Sequence, residues 1–125
     1  MTKKLAVPLL AAVCLVLLPG CIVDARDPYP GNVTFAWSFD GYGCIQEPDI
    51  QTVRVTIPGE RLDNDGFYPC RLNGYDGITL YDFAPGYYDF YLEAIDYDGY
   101  VSFTRRGSFR VDGNVTVPVD LYPTL

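Results

Sequence analysis

Histidine is absent from this 125-residue chain, and lysine is confined to Lys3 and Lys4. The first absence removes the commonest general base, the usual zinc ligand and every Ser-His or Cys-His nucleophile pair. The second leaves seven arginines as the only cations beyond Gly20, against sixteen acidic residues and a net charge there of −9. Such a surface repels phosphate backbones and anionic headgroups, so nucleic acid is not an expected partner. Beyond the amino-terminal segment no stretch sets apolar residues at helical spacing, which argues against an α or α/β fold.

What is present is an aromatic-rich, apolar composition with eleven tyrosines and seven phenylalanines, enough to build a core. Met1 to Lys4 forms a short basic region, Leu5 to Leu18 an apolar run, and Leu18-Pro19-Gly20-Cys21 closes it. The run is short for a membrane span and has the layout of an export signal.

Leu18 and Gly20, placed three and one residues before Cys21, resemble the lipobox of bacterial lipoproteins. The resemblance implies that the peptide is cut before Cys21 and that this residue carries a diacylglyceryl thioether and an acylated, palmitate-type amino terminus. Several acyl chains anchor durably where one holds only marginally. Ile22, rather than Asp, follows the acceptor, which in that family implies the outer membrane of the bacterial envelope. Residues 1–20 thus read as a lipoprotein signal peptide, 21–32 as a lipidated tether broken by Pro28, Pro30 and Gly31, and 33–125 as the folded domain.

Cysteine arithmetic follows from that address. Cys14 leaves with the signal and Cys21 takes the lipid, so Cys44 and Cys70 remain as an even pair, which in an exported protein reads as a disulfide. Closing that loop would contribute about 3.5 kcal/mol in the chain-entropy picture. With no histidine and no free thiol, a carboxylate pair is the only simple catalytic design left, and a domain this small has little room for a deep cleft. The expectation is a protein that is not an enzyme and carries no cofactor.

The domain itself alternates. Val33, Phe35, Trp37 and Phe39 fall on one side of a first strand, with Trp37 a core anchor, and Val53 to Ile57 repeats the pattern before Pro58-Gly59. Asp63-Asn64-Asp65-Gly66 is a turn signature. Ile78 to Phe83 forms a further strand in which Asp82 breaks the alternation and Phe83 swings inward through a bulge. After the Pro85-Gly86 corner, Tyr88, Phe90, Leu92 and Ala94 face the core while Tyr87, Asp89, Tyr91 and Glu93 face outward as a possible ligand face. Tyr100 to Val111 reads as one bulged strand or a hairpin, and Val115 to Leu121 closes the chain, with Pro118 favouring an edge position. Asn32 and Asn114 are expected as turn residues before strands. About seven short strands with a turn signal every dozen residues imply an all-β, two-sheet antiparallel sandwich of Ig-like or prealbumin-like type.

Leu80, Phe83, Pro85-Gly86, Tyr88, Leu92 and Gly99-Tyr100 also resemble the corner pattern of carboxypeptidase regulatory-like and prealbumin-like domains. That resemblance implies an extracytoplasmic accessory or binding module without catalytic residues. Three functional readings follow. The first is a lipid-anchored module that binds another envelope protein. The second is a carbohydrate-binding module that stacks surface glycan on tyrosines such as Tyr87 and Tyr91. The third is a calcium-dependent adhesion module using Asp63, Asp65, Asp96 and Asp98, although Arg61 stands where the first carboxylate of a full calcium loop belongs.

Overall fold

The computed structural model describes residues 27–125. Cys21, the signal segment and the first part of the tether lie outside the described residues. Seven strands carry the fold: β1 (Gly31–Phe39), β2 (Ile50–Thr56), β3 (Phe67–Pro69), β4 (Gly77–Phe83), β5 (Gly86–Asp96), β6 (Val101–Val111) and β7 (Val115–Pro123). A tight turn at Asp63–Gly66 precedes β3, with Asn64, Asp65 and Gly66 at φ of 55°, 54° and 83°. Asn and Asp are the residues that tolerate this left-handed backbone, which is why the DNDG signature marks the turn.

The all-β class and the strand number agree with the sequence; the expected purely antiparallel arrangement does not. The strands are ordered β3-β2-β5-β6-β7-β1-β4 in a single, nearly closed, barrel-like sheet. It is mixed, because β1 and β7 run parallel in register from Val33↔Val115 to Phe39↔Leu121. Several contacts set this pairing. A Cβ on Gly31 would collide with the backbone of Gly113 and Asn114, so only glycine lets β1 begin so close to the turn before β7. Beside it, Gly113 N–H donates to the Tyr29 carbonyl at 2.8 Å and Asn32 N–H donates to Asn114 Oδ1 at 2.9 Å. At the far end Asp120 Oδ1 accepts from Ser38 Oγ at 2.7 Å and from Gly41 N–H at 2.9 Å.

Two local expectations need correction. Asn114 does precede a strand, but Asn32 lies inside β1, where its Oδ1 accepts the Asp82 N–H at 3.2 Å. Pro118 is in an interior strand, opposite Ala36 of β1. Its missing donor is tolerated because the β6–β7 ladder holds only Phe103↔Pro123 and Thr104↔Tyr122. β3, only three residues long, has no counterpart in the alternation of the sequence. The ambiguity at Arg105-Arg106-Gly107 resolves as one continuous strand, paired with β5 from Gly86↔Val111 to Ile95↔Val101.

The core is aromatic where β1, β4, β5 and β6 meet. Phe35 packs edge-on against Phe90 and Phe109 at centroid distances of 5.4 and 5.7 Å, and Tyr88 stacks on Phe109 at 5.3 Å. The predicted inward set of β5 holds, with Phe90, Leu92 and Ala94 buried and Tyr88 packed against them. The bulge at Asp82 is present too: Gly31 pairs with Phe83 and Val33 with Leu80, so β4 carries an extra residue there, and Asp82 takes φ 64°. Trp37 is a core residue, and its indole Nε1–H donates to the buried Cys70 carbonyl at 2.8 Å.

Candidate functional site: an arginine–aromatic sheet face

Cys44 and Cys70 form the disulfide, Cα to Cα 6.0 Å. Its loop is held by Asp76, whose Oδ2 accepts the Cys44 N–H at 3.1 Å while Oδ1 pairs with Arg71 Nη1 at 2.7 Å. The clamp reaches across 32 residues and leaves no local motif; the turn before β4 falls at Asn73-Gly74, and Gly77 is already the first residue of that strand.

The outward set Tyr87, Asp89, Tyr91 and Glu93 lies on one face of β5, as period-two geometry requires. Register decides what stands beside it. On β6, Tyr87 faces Arg110, Asp89 faces Ser108 and Tyr91 faces Arg106; on β2, Glu93 faces Arg54, which in turn faces Phe67 of β3. Three guanidinium–ring contacts result: Arg106 over Tyr91 at 4.1 Å, Arg54 over Phe67 at 5.1 Å and Arg110 over Tyr87 at 5.6 Å. Ser108 Oγ donates to Asp89 Oδ1 at 3.0 Å. On a chain where acids outnumber cations sixteen to nine, this face sets three arginines against two carboxylates. Tyr87 is 80% exposed and Phe67 40%, so the rings are open to a partner.

Sequence reasoning reached the β5 half of this face by alternation. It missed Arg54, Arg106, Arg110 and Phe67, because strand pairing rather than any local motif brings them alongside. Arg105, next to Arg106 in sequence, takes the opposite side of β6. It fills the seam toward β7, where Nη1 donates to the Asp120 carbonyl at 3.3 Å and the guanidinium covers the Tyr122 ring at 4.8 Å.

The acidic turns do not meet. Asp63 and Asp65 lie near the Val55 end of β2, since a Cβ on Gly66 would strike the Val55 carbonyl, whereas Tyr97 N–H bonds to the Asp49 carbonyl beyond the other end. Asp96 Oδ1 is already engaged by the Asp98 and Tyr100 N–H groups, both at 2.9 Å, as an Asx-type turn. Among the described residues no three carboxylates gather into a metal-ligating group. Among the described residues, too, no helix is long and apolar enough to cross a membrane.

Two tyrosines are perturbed for structural reasons. Burial, reinforced by Asp63, raises the Tyr68 pKa, and its hydroxyl donates to the Asp63 carbonyl at 2.9 Å. Burial, reinforced by Glu60, raises that of Tyr88, whose hydroxyl donates to the Ala84 carbonyl at 2.6 Å. In comparisons with known proteins, no family model, curated protein or solved structure matches this chain.

Proposed function

We propose that the protein is a non-catalytic module, tethered to the bacterial envelope through lipid on Cys21, that binds another envelope protein through the outer face of β2, β5 and β6. The observation that carries the binding half is the row of arginine–aromatic contacts at Tyr87, Tyr91 and Phe67. Arginine and large aromatics are the side chains that dominate protein-interface energetics, and here Arg54, Arg106, Arg110, Tyr87 and Phe67 stand exposed, with Tyr91 half-buried beneath Arg106. The anchoring half rests on Leu18-Pro19-Gly20-Cys21.

Glycan stacking at Tyr91 is the weaker alternative. Arg106 sits 4.1 Å from the ring centroid and so occupies a face that a sugar would need. The resemblance to carboxypeptidase regulatory-like and prealbumin-like sandwiches is supported by the Tyr88 hydroxyl bond back across the Pro85-Gly86 corner, a tyrosine-corner arrangement. The two-pair ladder between β6 and β7 supports reading the sheet as two layers, β3-β2-β5-β6 and β7-β1-β4, joined at that seam.

The test is labelling of cells with a tagged palmitate, followed by quantitative co-purification on the lipidated chain. The reading expects label lost in Cys21→Ala, and a discrete partner retained by the parent but lost from Tyr91→Ala/Arg106→Ala. Equal label in both chains overturns the anchoring; glycan-array binding without a protein partner overturns the partner class.

A further inference from the structure

We propose that the edge of β6 along its seam with β7, from Arg106 to Arg110, receives an extended segment of the partner protein as an added strand, and that this segment alternates apolar with acidic side chains. The proposal rests on the reading of this surface as a protein-binding one and names the form the partner takes at its border.

β6 pairs with β5 along its length but with β7 only at Phe103↔Pro123 and Thr104↔Tyr122. Proline has no N–H to give, so Phe103↔Pro123 is a pair of the non-hydrogen-bonded kind. The flanking bond from Thr124 N–H to the Ser102 carbonyl, at 2.9 Å, agrees with that. Thr104 therefore turns its N–H and C=O toward β7. The β5–β6 register runs without a shift from Ala94↔Phe103 to Gly86↔Val111, so alternation carries the same direction to Arg106, Ser108 and Arg110. All three residues are exposed, and among the described residues no strand pairs with them on that side.

Nothing else claims this edge. The Arg106 and Arg110 guanidinium groups lie over Tyr91 and Tyr87, toward β5 and away from the seam. On the facing strand Pro118 has no donor, and the Asp120 carbonyl accepts from Arg105 Nη1 at 3.3 Å. Between the two strands lies a cleft of about 150 Å³, walled by Phe90, Val117 and Val119 and opened at Gly107, where β6 has no side chain. Open main-chain groups beside an apolar notch are what strand addition requires. Backbone bonds supply affinity, and an inward side chain of the guest enters the notch.

The outward positions select the guest. Arg106 and Arg110 stand on either side of Ser108, and the nearest acid, Asp89, is engaged by the Ser108 hydroxyl. Acidic side chains on the guest's outer positions are therefore favoured. A second copy pairing β6 with β6 would set these arginines against one another, which disfavours it, and charged edge residues also discourage indiscriminate pairing.

The experiment titrates the full-length ¹⁵N-labelled chain in zwitterionic detergent with a blocked Glu-Val-Glu-Val-Glu-Val peptide and its Lys-for-Glu counterpart. Two further forms of the glutamate peptide are N-methylated at the glutamates or at the valines. The proposal expects the Arg106, Ser108 and Arg110 amide resonances to shift, and their hydrogen exchange to slow, with the glutamate peptide and not with the lysine one. One N-methylated form should bind about tenfold or more weakly, because its donors face β6, while the other binds as the unmethylated peptide does. Ser108→Pro removes a donor from the open side and none from the β5 ladder, so it should keep a dispersed spectrum and lose binding to a similar degree. Unmoved amides, or equal binding of the two N-methylated forms, overturns the proposal. So does protection of those amides that grows with protein concentration in the absence of peptide, which would assign the edge to a second copy. The arginine–aromatic face is tested separately, by the cellular partner lost from Tyr91→Ala/Arg106→Ala. Shifts at Tyr91 and Phe67 with both N-methylated forms binding equally would therefore remove the added strand and leave the face.

Discussion

Asp120 accepts two hydrogen bonds that tie β7 to the end of β1, and those bonds, from Gly41 first and Ser38 second, hold its pKa below the ordinary carboxylate value, with Arg105 adding to them against burial. A carboxylate whose folded pKa is lowered contributes stability above its unfolded pKa and loses it as pH falls through the folded one. Both bonds are partly open to solvent screening, so Asp120→Ala should cost about 0.5–1.5 kcal/mol at neutral pH. In urea unfolding run as a pH series, the gap between parent and variant should close as the pH drops below 3.8. Tyr88→Phe removes only the bond to the Ala84 carbonyl and keeps the stack on Phe109, so a loss of about 0.5–1.5 kcal/mol with an unchanged m-value is expected. At this scale the sequence reveals what local pattern can reveal. Trp37 and Tyr88 are readable from alternation, whereas Asp120 acts on a residue 82 positions away and leaves no local trace.

Among the elements, strands with several alternating apolar residues announce themselves, and so does the Asp82 bulge. β3 does not, because three residues are too few to establish a period and its position is set by pairing with Thr52, Val53 and Arg54. The parallel β1–β7 pair is likewise invisible: parallel and antiparallel neighbours impose the same alternation, and the deciding contact is the close backbone approach at Gly31. β6 runs unbroken through Gly107 for a related reason. A Cβ there would lie 2.6 Å from the Phe90 ring, so glycine is required by the facing aromatic and does not mark a turn. Gly107→Ala should destabilise by about 1–3 kcal/mol through overpacking. Phe90→Leu should recover part of that loss in a thermal-melt double-mutant cycle; strict additivity would show that the two side chains do not collide.

For the whole molecule, composition alone bounds the function, through the net charge, the missing histidine and the paired cysteines. Half of the candidate face is readable as the outward side of β5, while its arginines come only with the register of β2 and β6. The Cys44–Cys70 bond closes the loop between β1 and the β4 edge, and Trp37 and Asp76 grip both of its ends. Replacing both cysteines with alanine should cost about 2–5 kcal/mol in chemical denaturation while leaving the sheet spectrum unchanged. A larger collapse, with loss of the β signature, would mean that the loop organises the barrel and does not merely fasten it.

Site-specific photocrosslinking in living cells bears on the binding face without presupposing the partner. A photoreactive phenylalanine at Tyr87 should give one discrete adduct, lost when Arg106→Glu is added, and the same probe at the similarly exposed Tyr97 beyond the other end of β5 should give none. Identical adducts from both positions, or none from Tyr87, would contradict the assignment of the arginine–aromatic face as the surface through which this protein works.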